Sequence, residues 1–154
     1  MKSMILLFLF FSHFVFAQTK VYVGQFPSMN SWIYEITATQ ILKVNNAANK
    51  VPMLHRQGKE LYYNERKSFT DVKCSIVGGQ IFKGKSTSTF DVLFTLKNGK
   101  LYAGDGNFGQ KIVYTFENGK IYLGDSTSSF DLLMTYELAK EEDLMLIAAI
   151  IAPY

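Results

Sequence analysis

The sequence predicts an all-β protein: a closed or nearly closed antiparallel barrel of 20-residue β-hairpin repeats around a C-terminal hydrophobic α-helix. Three observations carry this reading. The chain repeats itself every twenty residues. Its apolar residues fall in short runs divided by turn residues, and 13 Phe and 9 Tyr enrich those runs in strand-favouring side chains. The chain closes on an apolar stretch that has no polar face and must be surrounded.

The first segment is read as an address rather than as structure. Residues 1–17, MKSMILLFLFFSHFVFA, place Lys2 before an apolar run and end in Val15-Phe16-Ala17. This is the pattern of a secretory signal peptide cleaved before Gln18. The run is shorter than the roughly 20 residues a transmembrane span needs. Gln18 rather than a Cys stands directly after the cleavage point, which argues against a lipid-anchored lipoprotein. Cleavage removes His13 and leaves His55 as the sole histidine of an 18–154 domain.

The repeat is clearest over residues 61–140. IFKGKSTSTFDVLFTLKNGK (81–100), LYAGDGNFGQKIVYTFENGK (101–120) and IYLGDSTSSFDLLMTYELAK (121–140) align without a gap, and residues 61–80 share their register. Residues 21–40 fit loosely and 41–60 poorly, so four clear units follow two degenerate ones. Within a unit, an aliphatic–aromatic pair such as Ile121-Tyr122 leads to a glycine. A Ser/Thr-rich stretch follows, and then a second strand that begins at Asp131. Asn98-Gly99 and Asn118-Gly119 turn the chain into the next unit, because a type I′ hairpin needs φ > 0 at both central positions. The second strands carry adjacent apolar residues, as in Ile112-Val113-Tyr114, so both faces of the sheet require cover.

The tail supplies one cover. Residues 141–152, EEDLMLIAAIIA, begin with three acids where a helix N-terminus favours negative charge and continue without a polar residue. About 12 helical residues reach roughly 18 Å, too short for a bilayer. The helix therefore plugs a barrel, packs on an open sheet or inserts partway into a membrane, in that order of preference.

Six units of two strands followed by an apolar helix resemble the Tubby C-terminal-domain-like barrels, in which a closed antiparallel barrel surrounds such a helix. The tandem form, GKIYLGDSTSSFDLLMTY and its neighbours, is similar more specifically to the bacterial β-flower proteins, described as a four-fold set of hairpin petals on a shallow barrel. The resemblance covers about residues 20–152. It implies no catalytic residues. The Tubby-like relatives imply phosphoinositide binding or lipid association, although no basic motif here matches theirs. The structural rival is a β-trefoil, also twelve strands in six hairpins, but its period would be forty and it needs no buried helix.

Candidate chemistry is sparse. Net charge is +3, with 16 basic and 13 acidic residues, too balanced for a nucleic-acid binder. The single Cys excludes an internal disulfide and a cysteine-based zinc cage; Cys74 stands where Phe94 and Tyr114 stand and reads as a core thiol. Gly79 to Ser86 matches the P-loop pattern letter for letter. No helix is expected at Lys85-Ser86 to cradle phosphate, and Asp105 and Asp125 replace Lys85 in the other units. Asp71, Asp91 and Asp131 share one repeat position, with Lys111 in the remaining clear unit; they are expected to bond turn amides rather than a cation. Gly104 to Asn107 suggests a calcium loop but lacks the Glu that would complete it. His55, expected in an exposed loop near Pro52 and Arg56, would be the only base for a hydrolase triad.

Lys59, Arg66, Lys67, Lys73, Lys83 and Lys85 cluster in sequence and could face anionic head groups. The reading is a non-catalytic exported module, periplasmic, envelope-associated or secreted, that binds lipid, an envelope protein or an apolar partner segment. It uses no cofactor, nucleotide or nucleic acid. The second reading is a carbohydrate- or protein-binding trefoil-like domain.

Overall fold

A computed structural model describes residues 18–25, 32–107 and 109–153. The proposed leader lies outside the described residues. The strands are β1 (Thr19–Val23), β2 (Trp32–Ile36), β3 (Gln40–Asn46), β4 (Asn49–Gln57), β5 (Glu60–Tyr62), β6 (Val72–Val77), β7 (Gln80–Lys83), β8 (Val92–Lys97), β9 (Lys100–Ala103), β10 (Ile112–Glu117), β11 (Lys120–Leu123) and β12 (Leu132–Glu137). One helix, α1 (Asp143–Ile151), follows. Each strand pairs antiparallel with its sequence neighbours, and β1 closes the ring on β12 with Val21 opposite Tyr136. A trefoil would divide its strands between barrel and cap; here all twelve share one closed ring, which rules that rival out.

The degenerate units are full members of the ring. Unit 21–40 supplies most of β1 and all of β2, and unit 41–60 supplies most of β3 and all of β4, the longest strand. Their sequence drifts where the connection differs: β3 and β4 join through a tight Asn46–Asn49 hairpin, whereas the clear units carry longer loops at that point.

The tight turns gather at one end of the barrel. Asn98 (φ 51) with Gly99 (φ 72), and Asn118 (φ 50) with Gly119 (φ 74), adopt the left-handed pairs a type I′ turn requires. The loops between odd and even strands, here called petals, gather at the other end. Three of them return to the barrel through a short 3-10 turn: Phe69–Asp71, Thr89–Asp91 and Ser129–Asp131. The even strand therefore starts one residue after the Asp. Asp91 and Asp131 accept hydrogen bonds from the Ser86 and Ser126 hydroxyls at 2.6 Å, and each Ser oxygen accepts the N–H two residues on. The expected carboxylate–amide bond is thus relayed through a serine.

Both sheet faces are covered, as the adjacent apolar residues required. Val21, Ile41, Leu61, Ile81, Leu101 and Ile121, spaced twenty apart, point inward and are at most 1% exposed. They form one cluster with Leu146, Ile147, Ala148 and Ala149 of α1, so the helix is the barrel's plug. Small alanines let the wall approach the helix axis. Ile150 is only half-buried, although Ala152, farther toward the petal end, is buried. The outer face carries a second ring at the same period: Glu35, His55, Ser75, Thr95, Thr115 and Thr135, all buried. Ser75, Thr95 and Thr115 donate to the petal-base carbonyls of Gly84, Gly104 and Gly124 at 2.7–2.9 Å, which satisfies each hydroxyl under its cover. Unit 41–60 has only the short Asn46–Asn49 turn in place of a long petal, and Glu35 is instead closed off by Lys50 from β4 at 2.8 Å. His55 belongs to this ring: it is a buried residue of β4 opposite Tyr62, not a loop residue, because the poor repeat match hid its register.

The helix enters at the turn end. Glu141 and Glu142 are exposed there as expected, but Asp143 is 6% exposed and accepts the Thr19 hydroxyl at 2.6 Å. Arg56 stands 4.0 Å from it. A single carboxylate can be buried at this mouth because it is bonded and faces a cation.

The closing seam carries a titratable tie. Tyr22 donates its hydroxyl to Glu137 at 2.6 Å, and burial together with that carboxylate pushes its pKa from 10.0 up to about 12. The folded state therefore favours the neutral phenol. Its contribution to stability is complete below pH 10 and is lost as pH rises through about 12. Thermal melts across that interval should fall more steeply for the wild type than for Tyr22→Phe; equal slopes would remove the seam tie.

Candidate functional site

The petal end concentrates exposed apolar surface. Among the described residues, the large hydrophobics that remain exposed are Val23, Val51, Tyr63, Phe69, Val77, Phe90, Leu123 and Phe130. Only Val77, at the end of β6, lies at the turn end. The others sit at strand ends or 3-10 turns facing the petal end, because every odd strand runs toward it and every even strand runs away. The Asp71 carbonyl continues the ladder by accepting the Tyr63 N–H at 2.9 Å, which holds the Phe69–Asp71 turn beside the end of β5 on the lip of the barrel. Phe90 and Phe130 precede Asp91 and Asp131 on these turns and are each 97% exposed; Phe69 is 73% exposed.

A cleft of about 420 Å³ opens inside this lip, lined by Tyr63, Lys73, Lys83, Leu93, Phe94 and Pro153. Leu93 and Phe94 come from β8, Lys73 from β6, Lys83 from β7, and Pro153 from the chain leaving the helix. Partial burial lowers the Lys73 pKa, with a smaller opposing influence from Cys74. The arrangement offers two ammonium groups at the edge of an apolar, partly aromatic surface.

The six basic residues expected to form one face divide. Lys59 follows the Gly58 turn at the opposite end of the barrel. Arg66 and Lys67 lie on the petal before Phe69, and Lys73 and Lys83 line the cleft. Lys85 reaches back along the outer wall to within 3.8 Å of Glu60, with its ammonium 5.5 Å from the Phe69 ring centre. Twenty-residue spacing separates Lys59 from Lys83 by a whole barrel length, which proximity in sequence conceals. The P-loop match dissolves for the same reason: Gly79 belongs to a hairpin turn and Gly84 to a petal base, with β7 between them. Asp105 in the Gly104–Asn107 stretch is bonded by Asn107 and Gln110 of its own petal. Cys74 is fully buried in the core. No group of three or more His, Cys, Asp or Glu among the described residues is placed to hold a metal ion. No described helix is long and apolar enough to cross a membrane.

The lip phenylalanines were not singled out by sequence reasoning. The signal that finds them is an aromatic residue inside a Ser/Thr-rich stretch, as in Ser88-Thr89-Phe90 and Ser128-Ser129-Phe130, where a polar petal has no core of its own to hold it.

A closed meander of six strand pairs, plugged by its own C-terminal helix and bearing petals at one end, defines a repeat-built barrel whose distinctive surface is the petal lip. A family model described as the 6-fold beta flower protein matches residues 12–116 and 94–141, and the chain belongs to that family. The two matches overlap over 94–116, as a repeating chain allows. The resemblance read from sequence named a four-fold flower; the symmetry is six-fold, because units 21–40 and 41–60 fold like the clear ones. The β-flower family is not a known enzyme family. No curated protein and no solved structure matches the chain.

Proposed function

We propose that this chain is a non-catalytic exported module, associated with the cell envelope, that binds an anionic lipid at the petal end of its barrel. The observation that carries the reading is the lip cleft, where Lys73 and Lys83 stand beside Tyr63, Leu93, Phe94 and Pro153. A charged head group meets two cations there while its chain lies on apolar walls. The apolar leader at residues 1–17 supports export. Arg66 and Lys67 on the adjoining petal extend the positive surface, whereas Lys59 and Lys85 take no part.

Calorimetric titration with monomeric lysophosphatidylglycerol tests this reading. Wild-type protein is expected to bind, and Lys73→Met with Lys83→Met should weaken binding at least tenfold, about 1.4 kcal/mol or more. Loss of salt-sensitive binding in the double variant supports the site. No binding by the wild type, or equal binding by the variant, overturns it.

A further inference from the structure

Three phenyl rings stand on separate petals of one lip: Phe90 and Phe130 are 97% exposed, and Phe69, with only the Lys85 ammonium 5.5 Å from its ring centre, is 73% exposed. A folded domain gains nothing from holding large apolar side chains in water, and the stretches that carry Phe90 and Phe130, Ser86 to Thr89 and Ser126 to Ser129, are otherwise only Ser and Thr. The rings are not neighbours in a groove. They sit on turns one and three repeat units apart around a ring, joined at the same end by exposed Val23, Tyr63 and Leu123. A protein partner would need a matching set of widely spaced pockets. A bilayer interface needs none, since each ring enters it independently and aromatic side chains are favoured at that depth.

We propose that the petal lip is a membrane-docking rim, with Phe69, Phe90 and Phe130 inserted among the head groups and upper acyl chains of an anionic leaflet. The inference names the surface on which the lipid reading above operates and rests on that reading. Charge supports the choice of occupant. Lys43, Arg66, Lys83 and Lys111 are exposed at the petal end against exposed Glu65 and Asp105, while Asp91 and Asp131 are half-buried under serine hydroxyls and Asp125 is paired with Lys100. The exposed acids Glu117, Glu137, Glu141 and Glu142 lie at the opposite end, alongside Lys59, Lys97 and Lys140. In this orientation the barrel axis stands upright on the membrane, with the cleft opening toward the lipid and the mouth at Asp143 facing away.

Flotation with vesicles of phosphatidylcholine containing phosphatidylglycerol tests the rim. The wild type is expected to float with them. Phe90→Ser with Phe130→Ser should lower the bound fraction at least tenfold, with an unchanged melting temperature because the rings make no core contacts. That variant should still bind monomeric lysophosphatidylglycerol in the cleft. Phe90→Trp should float, and its added emission should be quenched by lipids brominated near the head group. If the double variant floats like the wild type, the rim is not the docking surface. If the wild type binds lysophosphatidylglycerol but does not float, the inference falls and the lipid site stands; failure in both assays overturns both. A concentration-dependent dimer that the double variant abolishes, in protein that does not float, would assign the rings to a second copy and overturn the rim.

Discussion

Ile147→Asp is expected to yield no soluble, cooperatively folding protein. Ile147 is fully buried at the centre of α1, in one cluster with the inward residues Ile41, Leu61, Ile81 and Leu101 of the wall. The substitution removes the packing of a buried Ile, worth about 2–5 kcal/mol by truncation. It also places a carboxylate inside an apolar cluster, adding several kcal/mol or a forced protonation. Together these consume most of the ~5–15 kcal/mol that holds a domain folded. Asp143, a turn and a little earlier, shows what a buried carboxylate needs: the Thr19 hydroxyl at 2.6 Å and Arg56 at 4.0 Å. Ile147→Val is the control, expected to fold with a loss of about 0.5–1.5 kcal/mol. Soluble yield and circular-dichroism melts decide it. A well-folded Ile147→Asp protein would mean that the helix does not plug the barrel.

The fold was legible because its causes are local and repeated. An aliphatic residue every twenty positions faces inward, an Asn-Gly or Gly-Gly pair reverses the chain, and a tail without a polar face must be enclosed. What stayed hidden depended on long-range geometry. His55 and Glu35 look like isolated polar residues until the ring places them in register with Ser75, Thr95 and Thr115. Glu35 tolerates burial because Lys50 arrives from a strand two places round the barrel, a contact no local pattern predicts. The candidate site was half legible. Lys73 and Lys83 were expected, but a closed ring sends Lys59 to the far end and turns Lys85 toward Glu60. The lip rings escaped notice because an exposed Phe and a core Phe have the same letter; only burial separates Phe90 from Phe94.

Gly99→Val is expected to destabilise more than the same change at other turn glycines. Gly99 has φ 72, a conformation in which a β-branched residue costs about 1–3 kcal/mol. Strain of that kind is shared by Gly124 at φ 66, where an added Cβ would meet nothing within 4 Å. At Gly99 the Cβ would also lie 2.7 Å from the Phe116 carbonyl oxygen. That atom is main chain of β10 and cannot swing aside, because the same peptide neighbourhood is fixed by the Phe116 N–H donating to the Gly99 carbonyl at 2.6 Å. Relief requires the turn to lift off β10 and surrender the bond, adding about 0.5–1.5 kcal/mol. Gly119, with the corresponding contact to Tyr136 at 3.2 Å, needs only a small shift and should fall between the two. The expected order of melting-temperature loss is Gly99→Val, then Gly119→Val, then Gly124→Val, with the first reaching roughly 10 °C. The order matters more than the size. Strain alone would make the three equal, so equal losses would show that the type I′ turns are not packed against the next strand, and the hairpin register that closes the barrel would have to be redrawn.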